Sequence, residues 1–319
     1  MNTYEKLVAH EKEELKEALE NAEKVDIDFF NKERILAFGE EYGILPDEMK
    51  GYILEAYEEL KDDEVYKKII RAMYYFMKNE IEMGAVVPGP EDGIKAEFSN
   101  FFPAWYMAED FAKDMERRGV SKEIISDTLM VFSNNIQKNI RLSGIPGTRR
   151  SYDWIRYFAQ GKIIQVNDFQ YEIVNKDGRY MLGVHIPPKT KLNVLDNARS
   201  FKEALDFFEK FYPEYDMTGL RCISWLLSTE IEEVMGGPTN ITRFGDMFER
   251  YDVGDVKGMA VFSFVFNKAK PYPPIEELPE ETSMQRKMKE YMLSGNRILV
   301  KGGFISRERL DKIIKEAEA

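Results

Sequence analysis

The sequence predicts an α+β protein with an all-helical N-terminal domain, residues 1–150, and a mixed β-sheet domain flanked by helices, residues 151–319. Two observations predict this division. Apolar residues recur at helical spacing through the first half, and alternation of the strand type is first found after residue 160. A chain of 319 residues also has room for two domains, each with its own core.

Each predicted helix of the first half has an apolar stripe on one side and charged residues on the other. A segment rich in glycine and proline, residues 84–93, predicts a loop between two of these helices. Gly119 is predicted to end one helix, and Ser121 to cap the next. The predicted helices cover residues 3–24, 27–41, a segment from Pro46, 63–83, 104–118 and a segment from Ser121.

In the second half the apolar period changes from 3.6 to 2, which indicates strands. Asn175–Gly178 is a turn sequence and predicts a β-hairpin between two of them. Helices alternate with the later strands, which is typical of a mixed sheet. Predicted strands cover residues 163–166, 169–174, 180–186, 220–227, 259–266 and 297–300, and predicted helices lie around Trp154, at 199–211 and at 283–294.

Charge and composition exclude several classes of function. Residues 1–80 carry 21 acidic and 12 basic side chains, which accounts for most of the net charge of −12. The rest of the chain is nearly neutral, so we expect no nucleic-acid partner, since phosphate binding needs a basic surface. No apolar run is long enough to cross a membrane, and no secretory signal is visible at the N-terminus. We therefore expect a cytoplasmic protein that does not insert into membranes.

The residues that bind metals are scarce. Cys222 is the single cysteine, and His10 and His185 are the two histidines. One cysteine excludes an internal disulfide and a cysteine-rich metal centre. We therefore expect chemistry without a metal ion.

Four segments, in this order, resemble a family of bacterial proteins described as acyltransferase domain-containing. Members have a helical N-terminal domain and a C-terminal domain with the fold of the GNAT acetyl-CoA-dependent N-acetyltransferases. The first segment begins at Gly119-Val-Ser-Lys and the second at Phe169-Gln-Tyr-Glu. The third consists of two stretches, Val184-His-Ile-Pro and Cys222-Ile-Ser-Trp, and the fourth begins at Thr282-Ser-Met-Gln-Arg. The resemblance implies that residues 151–319 form a GNAT-like domain. It also implies acyl transfer from acetyl-CoA or another acyl-CoA to a small amine or a similar nucleophile.

The sequence departs from the family in two places. Members often carry Gly-Arg-Leu before the Gln-Phe-Glu segment, where this chain has Asn167-Asp168-Phe169. The Gln/Arg-x-x-Gly-x-Gly/Ala sequence that binds the CoA pyrophosphate in GNAT folds has no good counterpart. Arg141–Pro146 comes nearest, but a proline replaces its last small residue.

By topology, the CoA phosphates are expected between the strand 180–186 and the following helix. This segment offers cations and side chains of the helix-capping type, namely Lys189, Lys191, Asn197, Arg199 and Ser200. An ordinary surface connection with a helix cap explains the same residues. Thr282–Arg286 is a second candidate, for which helix capping is again the alternative.

N-acyl transfer requires a base for the attacking amine and donors for the oxyanion. His185 is the one histidine in the sheet region, and Glu172 lies on the predicted polar side of its strand. Ser224 is a third candidate, as a wall of the pocket. Cys222 could carry an acyl group, but its apolar strand predicts a buried, unreactive thiol.

Two alternatives remain open at this point. The GNAT-like sheet could serve as a non-catalytic scaffold that binds a ligand or partner, with the acidic helices as contact surface. A different transferase or hydrolase could use His185 with Glu172.

Overall fold

The computed structural model describes residues 13–26, 28, 30–81, 93–268 and 270–318. It forms two compact units, Met1–Gln165 and Val166–Ala319. Of the predicted features, the start of the helix at 3–24, His10 and nearly all of the loop 84–93 lie outside the described residues. The domain boundary at residue 150 stays a prediction.

The first unit is helical from its first described residue to residue 159. Its helices are α1 Glu13–Ala22, α2 Lys32–Glu41, α3 Asp47–Leu60, α4 Glu64–Lys78, α5 Gly93–Phe98, α6 Phe101–Arg118, α7 Lys122–Leu129, α8 Val131–Ser143 and α9 Tyr152–Ala159. Helix α6 ends at Gly119, which has a left-handed backbone, and Ser121 caps α7, as predicted.

Aromatic side chains form the centre of this unit. Trp105 is fully buried and stacks on Phe101 at 4.8 Å, while Phe38 and Phe132 meet it edge-on. Burial of such a side chain contributes about 1.5–3 kcal/mol. The aromatic run at 101–106 therefore belongs to the core.

A six-stranded sheet organises the second half of the chain. Its strands are β1 Ile163–Val166, β2 Phe169–Lys176, β3 Arg179–His185, β4 Met217–Ser224, β5 Glu249–Asp252 and β6 Lys301–Ser306, in the order β1-β2-β3-β4-β6-β5. Strands β3 and β4 are parallel, whereas β2/β3, β4/β6 and β5/β6 are antiparallel. The mixed sheet predicted from the sequence is confirmed.

The described residues of the second unit form the α-helices α10 Val194–Phe211, α11 Ile231–Met235, α12 Asn240–Gly245, α13 Ala260–Phe264, α14 Ser283–Leu293 and α15 Arg307–Glu318. Helix α10 connects β3 to β4 and packs on the sheet through Phe201, which meets Phe169 at 4.9 Å. Helix α15 is held beside α10 by ion pairs, including Lys202–Asp311.

The register divides the side chains of the sheet between two faces, because residues opposed across strands point to the same side. The core face, which packs on α10, carries Phe169, Tyr171, Leu182, Val184, Leu220 and Cys222. The other face, which we call the polar face, carries Gln170, Glu172, His185, Arg221, Ile223 and Tyr251.

Two predicted strands of the second half are wrong. Residues 259–266 contain helix α13, whose Val261 and Phe262 are buried in a small cluster with residues of α11 and α14. A short apolar run does not distinguish a strand from a buried helix, which explains the error. The last strand lies at Lys301–Ser306 and not at 297–300, because Ile298 belongs to the same cluster.

Two boundaries and one strand also differ from the sequence prediction. Strand β4 ends at Ser224, and Trp225–Leu227 form a 3-10 turn. Helix α10 begins at Val194 rather than at residue 199, because Asn193 caps it. Strand β5 was not predicted, since its four residues, Glu249–Asp252, carry no apolar alternation.

Candidate functional site at the ends of strands β3 and β4

Glu172 and His185 lie together on the polar face. Gln170 opposes His185 and Glu172 opposes Gly183 in the antiparallel register, which sets the two side chains diagonally across β2 and β3. His185 Nε2 is 3.4 Å from Glu172 Oε1. The structure therefore brings together two of the three residues that the sequence proposed for catalysis.

Gly183 makes this contact possible. A Cβ atom at Gly183 would lie 2.7 Å from Glu172 Cγ and 2.8 Å from Oε1, so the Glu172 side chain lies directly over the glycine. Any larger residue at this position would displace the carboxylate from its place beside His185.

The electrostatics of the pair follow from this geometry. The neighbouring His185 side chain lowers the pKa of Glu172, partial burial opposes that effect, and the charge of Arg221 lowers the pKa further. Glu172 is therefore ionised at neutral pH. An ionised carboxylate beside an imidazole holds the ring in one orientation, as the partner of a general base does.

The pair stands at the point where β3 and β4 cease to be paired. The parallel register runs through Gly183–Arg221 and Val184–Cys222, and β3 ends at His185 while β4 continues to Ile223 and Ser224. An irregularity between Tyr180 and Leu182 shifts the register earlier in the strands. In open sheets, ligands bind beyond the carboxyl ends of parallel strands, where these residues lie.

Ser224, the third catalytic candidate, lies apart from the pair. Alternation along β4 places it on the core face, and its hydroxyl accepts a hydrogen bond of 3.1 Å from the Leu226 backbone N–H. It caps the turn that follows the strand. A catalytic role for Ser224 stays a prediction.

The candidate phosphate ligands are spread along the β3–α10 connection and α10. Lys189 and Lys191 are exposed, and Lys189 has a left-handed backbone, with φ of 73°. The Asn193 side chain accepts from the backbone N–H groups of Leu195 and Asp196. Two of the donors that a helix N-terminus would offer to a phosphate are therefore already bound.

The three candidates within α10 have different surroundings. Asn197 is buried, and its Nδ2 atom has no hydrogen-bond partner within the described part of the chain. Arg199 is exposed and forms an ion pair of 2.7 Å with Glu318 of α15. Ser200 lies in the second turn of the helix and not at its start. The structure does not gather the five candidates into one cluster.

Two residues of the polar face were not identified from the sequence. Arg221 Nε donates a 2.9 Å hydrogen bond to the Tyr251 hydroxyl, and Gly302 gives room for the Tyr251 ring. Arg221 lies in a segment that was predicted as an apolar strand, and Tyr251 lies in strand β5, which was not predicted. The one available signal was the single charge inside Leu220–Leu227.

Cys222 and Thr282 match the simpler of their two sequence interpretations. Cys222 is buried on the core face, and burial raises the pKa of its thiol to about 12. Thr282 and Gln285 form a capping box at the start of α14, so the capping interpretation of that segment is confirmed.

A separate pocket of about 220 Å³ lies in the helical unit, between α2 and α6. At its wall the nearly buried Glu109 pairs with Arg34 at 2.6 Å, and Tyr42 donates to Glu116 at 2.7 Å. These polar groups therefore bind one another at the wall of the pocket.

Within the described ranges, no helix has the length and apolar composition needed to cross a bilayer. No three side chains of the histidine, cysteine, aspartate or glutamate type are grouped as metal ligands in the same residues.

The parallel β3–β4 pair joined by α10, with antiparallel strands on both sides, defines a GNAT-like domain preceded by helices. The family model described as GNAT-like C-terminal domain matches residues 110–305, more than half of the chain, and the protein therefore belongs to this family. No curated protein matches the chain.

Crystal structures of acyltransferases share the fold. One, a mutant in complex with octanoyl-CoA, is 19% identical, with a TM-score of 0.75 over 86% of this chain and 88% of the other. Another, in complex with CoA and 10C-teicoplanin, gives the same values. A third, in complex with decanoyl-CoA, is 20% identical, with a TM-score of 0.74 over the same shares of the two chains.

Proposed function

We propose that this protein transfers an acyl group from acyl-CoA to a small-molecule acceptor that carries an amine or a similar nucleophile. The observation that carries the proposal is the Glu172–His185 pair at the end of β3, where the parallel strands cease to pair. The family supports it, as do the acyl-CoA complexes of the acyltransferases with the same fold. Residues 151–319 would form the acyltransferase domain, acting in the cytoplasm, where acyl-CoA is made.

In the proposed reaction, the acceptor nitrogen attacks the thioester carbonyl, and His185 takes a proton from that nitrogen. The C–N bond forms, the C–S bond breaks, and the imidazolium returns the proton to the departing thiolate. The products are an amide and free CoA. Glu172 stabilises the imidazolium between the two proton transfers, because its carboxylate lies 3.4 Å from the ring.

The donor's phosphates would meet the connection between β3 and α10. Lys189 and Lys191 supply exposed positive charge there, and Asn197 offers a buried amide donor. Arg199 and Ser200 lie further along the helix, where the contact of Arg199 with Glu318 would have to be exchanged. Lys189 and Lys191 would therefore contribute more to phosphate binding than Arg199 and Ser200.

The test is the thermal stability of the purified protein with acetyl-, octanoyl- and decanoyl-CoA. Ligands that bind the folded state raise its melting temperature, so a donor should give a rise that saturates with concentration. Lys189→Ala with Lys191→Ala should reduce the rise, whereas Lys312→Ala, a change of an exposed lysine on α15, should leave it intact. No rise with any of the three donors at about 1 mM would overturn the proposal.

A second function is supported by one observation. The Asn193 side chain occupies the donors at the start of α10, and the connection before it contains no glycine to let a phosphate approach the backbone. These features suit a scaffold that has lost the donor site and binds a ligand or partner. The scaffold predicts no CoA-dependent stabilisation, so the same titration distinguishes the two functions.

A further inference from the structure

Arg221 occupies the middle of the polar face, beside the proposed catalytic pair. It opposes Gly183, which itself opposes Glu172, so Glu172, Gly183 and Arg221 form one row across β2, β3 and β4. The Glu172 side chain lies over Gly183, within electrostatic reach of the guanidinium. A molecule bound at Arg221 would therefore lie next to the residues that handle the proton.

The guanidinium is held by one of its nitrogen atoms only. Nε donates to the Tyr251 hydroxyl at 2.9 Å, and the Tyr251 ring is fixed over Gly302. Within the part of the chain that the structure describes, Nη1 and Nη2 have no hydrogen-bond or ion-pair partner. An arginine held at Nε presents these two nitrogens in the geometry that carboxylates and phosphates bind.

A second cation lies near the first. The Lys176 ammonium is 5.7 Å from the centre of the Tyr251 ring. Among the described residues, this ring is the one contact of the ammonium group. Two carboxylates share this face: Glu249, which is exposed on the edge strand, and Glu172, which is ionised beside His185 and Arg221. Arg221 and Lys176 therefore place two positive charges beside Tyr251.

These two cations are separated from the segment expected to bind the donor's phosphates. Helix α10 packs on the core face through Phe201, whereas Arg221 points from the polar face. The phosphates of CoA, if bound at the start of α10, would lie on the other side of the sheet from this guanidinium.

We propose that Arg221, supported by Tyr251 and joined by Lys176, binds an anionic group, carboxylate or phosphate, of the acceptor molecule. The inference rests on the proposed function, since it identifies the class of acceptor for the same site. The acceptor would then carry its nucleophile toward Glu172 and His185 and its anionic group over Gly302. Arg221 would determine which acceptors are used.

The experiment measures the dissociation constants of inorganic phosphate, glutarate and octanoyl-CoA for the wild-type protein by titration at constant ionic strength. Arg221→Gln should raise the constant for phosphate, glutarate or both by about tenfold or more, the effect of losing charge-assisted hydrogen bonds. Arg309→Gln removes one positive charge from an exposed site on α15 and should change neither constant. Should Arg221→Gln fail to fold, Tyr251→Phe removes only the supporting hydroxyl and should weaken anion binding in the same direction.

Each outcome decides a separate point. Phosphate and glutarate constants that are the same in wild type, Arg221→Gln and Tyr251→Phe would overturn the anion site. A rise in the octanoyl-CoA constant equal to that for the anions would assign the guanidinium to the donor and overturn its role in acceptor binding. Absence of octanoyl-CoA binding to the wild type contradicts the proposed function alone, and the anion titrations still decide whether Arg221 forms a site.

Discussion

His185 is the residue on which the proposed proton transfer depends. Its side chain contacts the Glu172 carboxylate at 3.4 Å and lies on the surface of the sheet rather than in a core. Replacement should therefore change the chemistry more than the stability.

His185→Gln is expected to reduce acyl transfer at least about a hundredfold, the usual contribution of a general base. The melting temperature should stay close to that of the wild type. The rate of CoA release with an acceptor amine measures the first quantity, and thermal unfolding the second. Gln170→Ala, a change at the residue opposed to His185, is the control and should retain most of the rate. An unchanged rate in His185→Gln would remove the histidine from the mechanism.

The lowered pKa of Glu172 gives the folded protein a dependence on pH. A carboxyl whose pKa is lower when folded adds stability above its unfolded pKa, near 4.3, and this stability is lost as the pH falls through the folded value. The difference in melting temperature between wild type and Glu172→Gln should therefore be larger at pH 6 than at pH 3. Glu249→Gln removes an exposed carboxyl of the same face and serves as the control. A difference independent of pH would contradict the pairing.

The Cys222 thiol should be unreactive in the folded protein. Burial raises its pKa to about 12, so almost no thiolate forms at neutral pH. A thiol reagent such as DTNB should react slowly with the native protein and rapidly in denaturant. Rapid reaction in the absence of denaturant would show that β4 is accessible and would restore Cys222 as a candidate nucleophile.

Helix α10 is the element that shapes the proposed donor site. Its first turn depends on Asn193, whose side chain binds the N–H groups of Leu195 and Asp196. Asn193→Ala is expected to lower the free energy of unfolding by about 1 kcal/mol, and Asn193→Ser, which keeps a capping oxygen, by clearly less. Urea unfolding of the three proteins measures the difference. Equal stability of wild type and Asn193→Ala would show that the cap is not needed to start the helix.

The elements also show where the sequence was informative. Long amphipathic helices, such as α4 and α6, and the hairpin β2–β3 carry their own periodicity and end signals, so they were predicted correctly. Helix α13 and strands β5 and β6 were not, because tertiary contacts determine them. Gly302 and Gly303 disfavour a strand by composition, yet the rings of Tyr251 and Phe248 require them in β6.

The residues of the candidate site also differ in whether the sequence predicted them. Glu172 and His185 follow from strand alternation and from the scarcity of histidine. Arg221 and Tyr251 became visible only through the register of four strands, which no local pattern contains. The start of α10 was misplaced by five residues, so Arg199 and Ser200 were assigned to a helix start that Asn193 actually forms.

At the scale of the whole molecule, membership in the family with a GNAT-like C-terminal domain accounts for the architecture. The proposed acyl transfer requires in addition that the donor enters beyond Val184 and Cys222, the last paired residues of β3 and β4. Ile223 stands at this point, on the polar face, with 46% of its surface exposed. A bulky residue there should fill the space that the donor's pantetheine arm would use.

The most direct test of the account is the calorimetric titration of octanoyl-CoA into wild type, Ile223→Trp and Leu293→Trp, the last a control on α14 with a similar exposure of 51%. A donor site at this point predicts saturable binding to the wild type and the control, and at least about tenfold weaker binding to Ile223→Trp, a loss of about 1.4 kcal/mol. Equal affinity of all three proteins, or no binding to any, would contradict a donor site at the ends of β3 and β4.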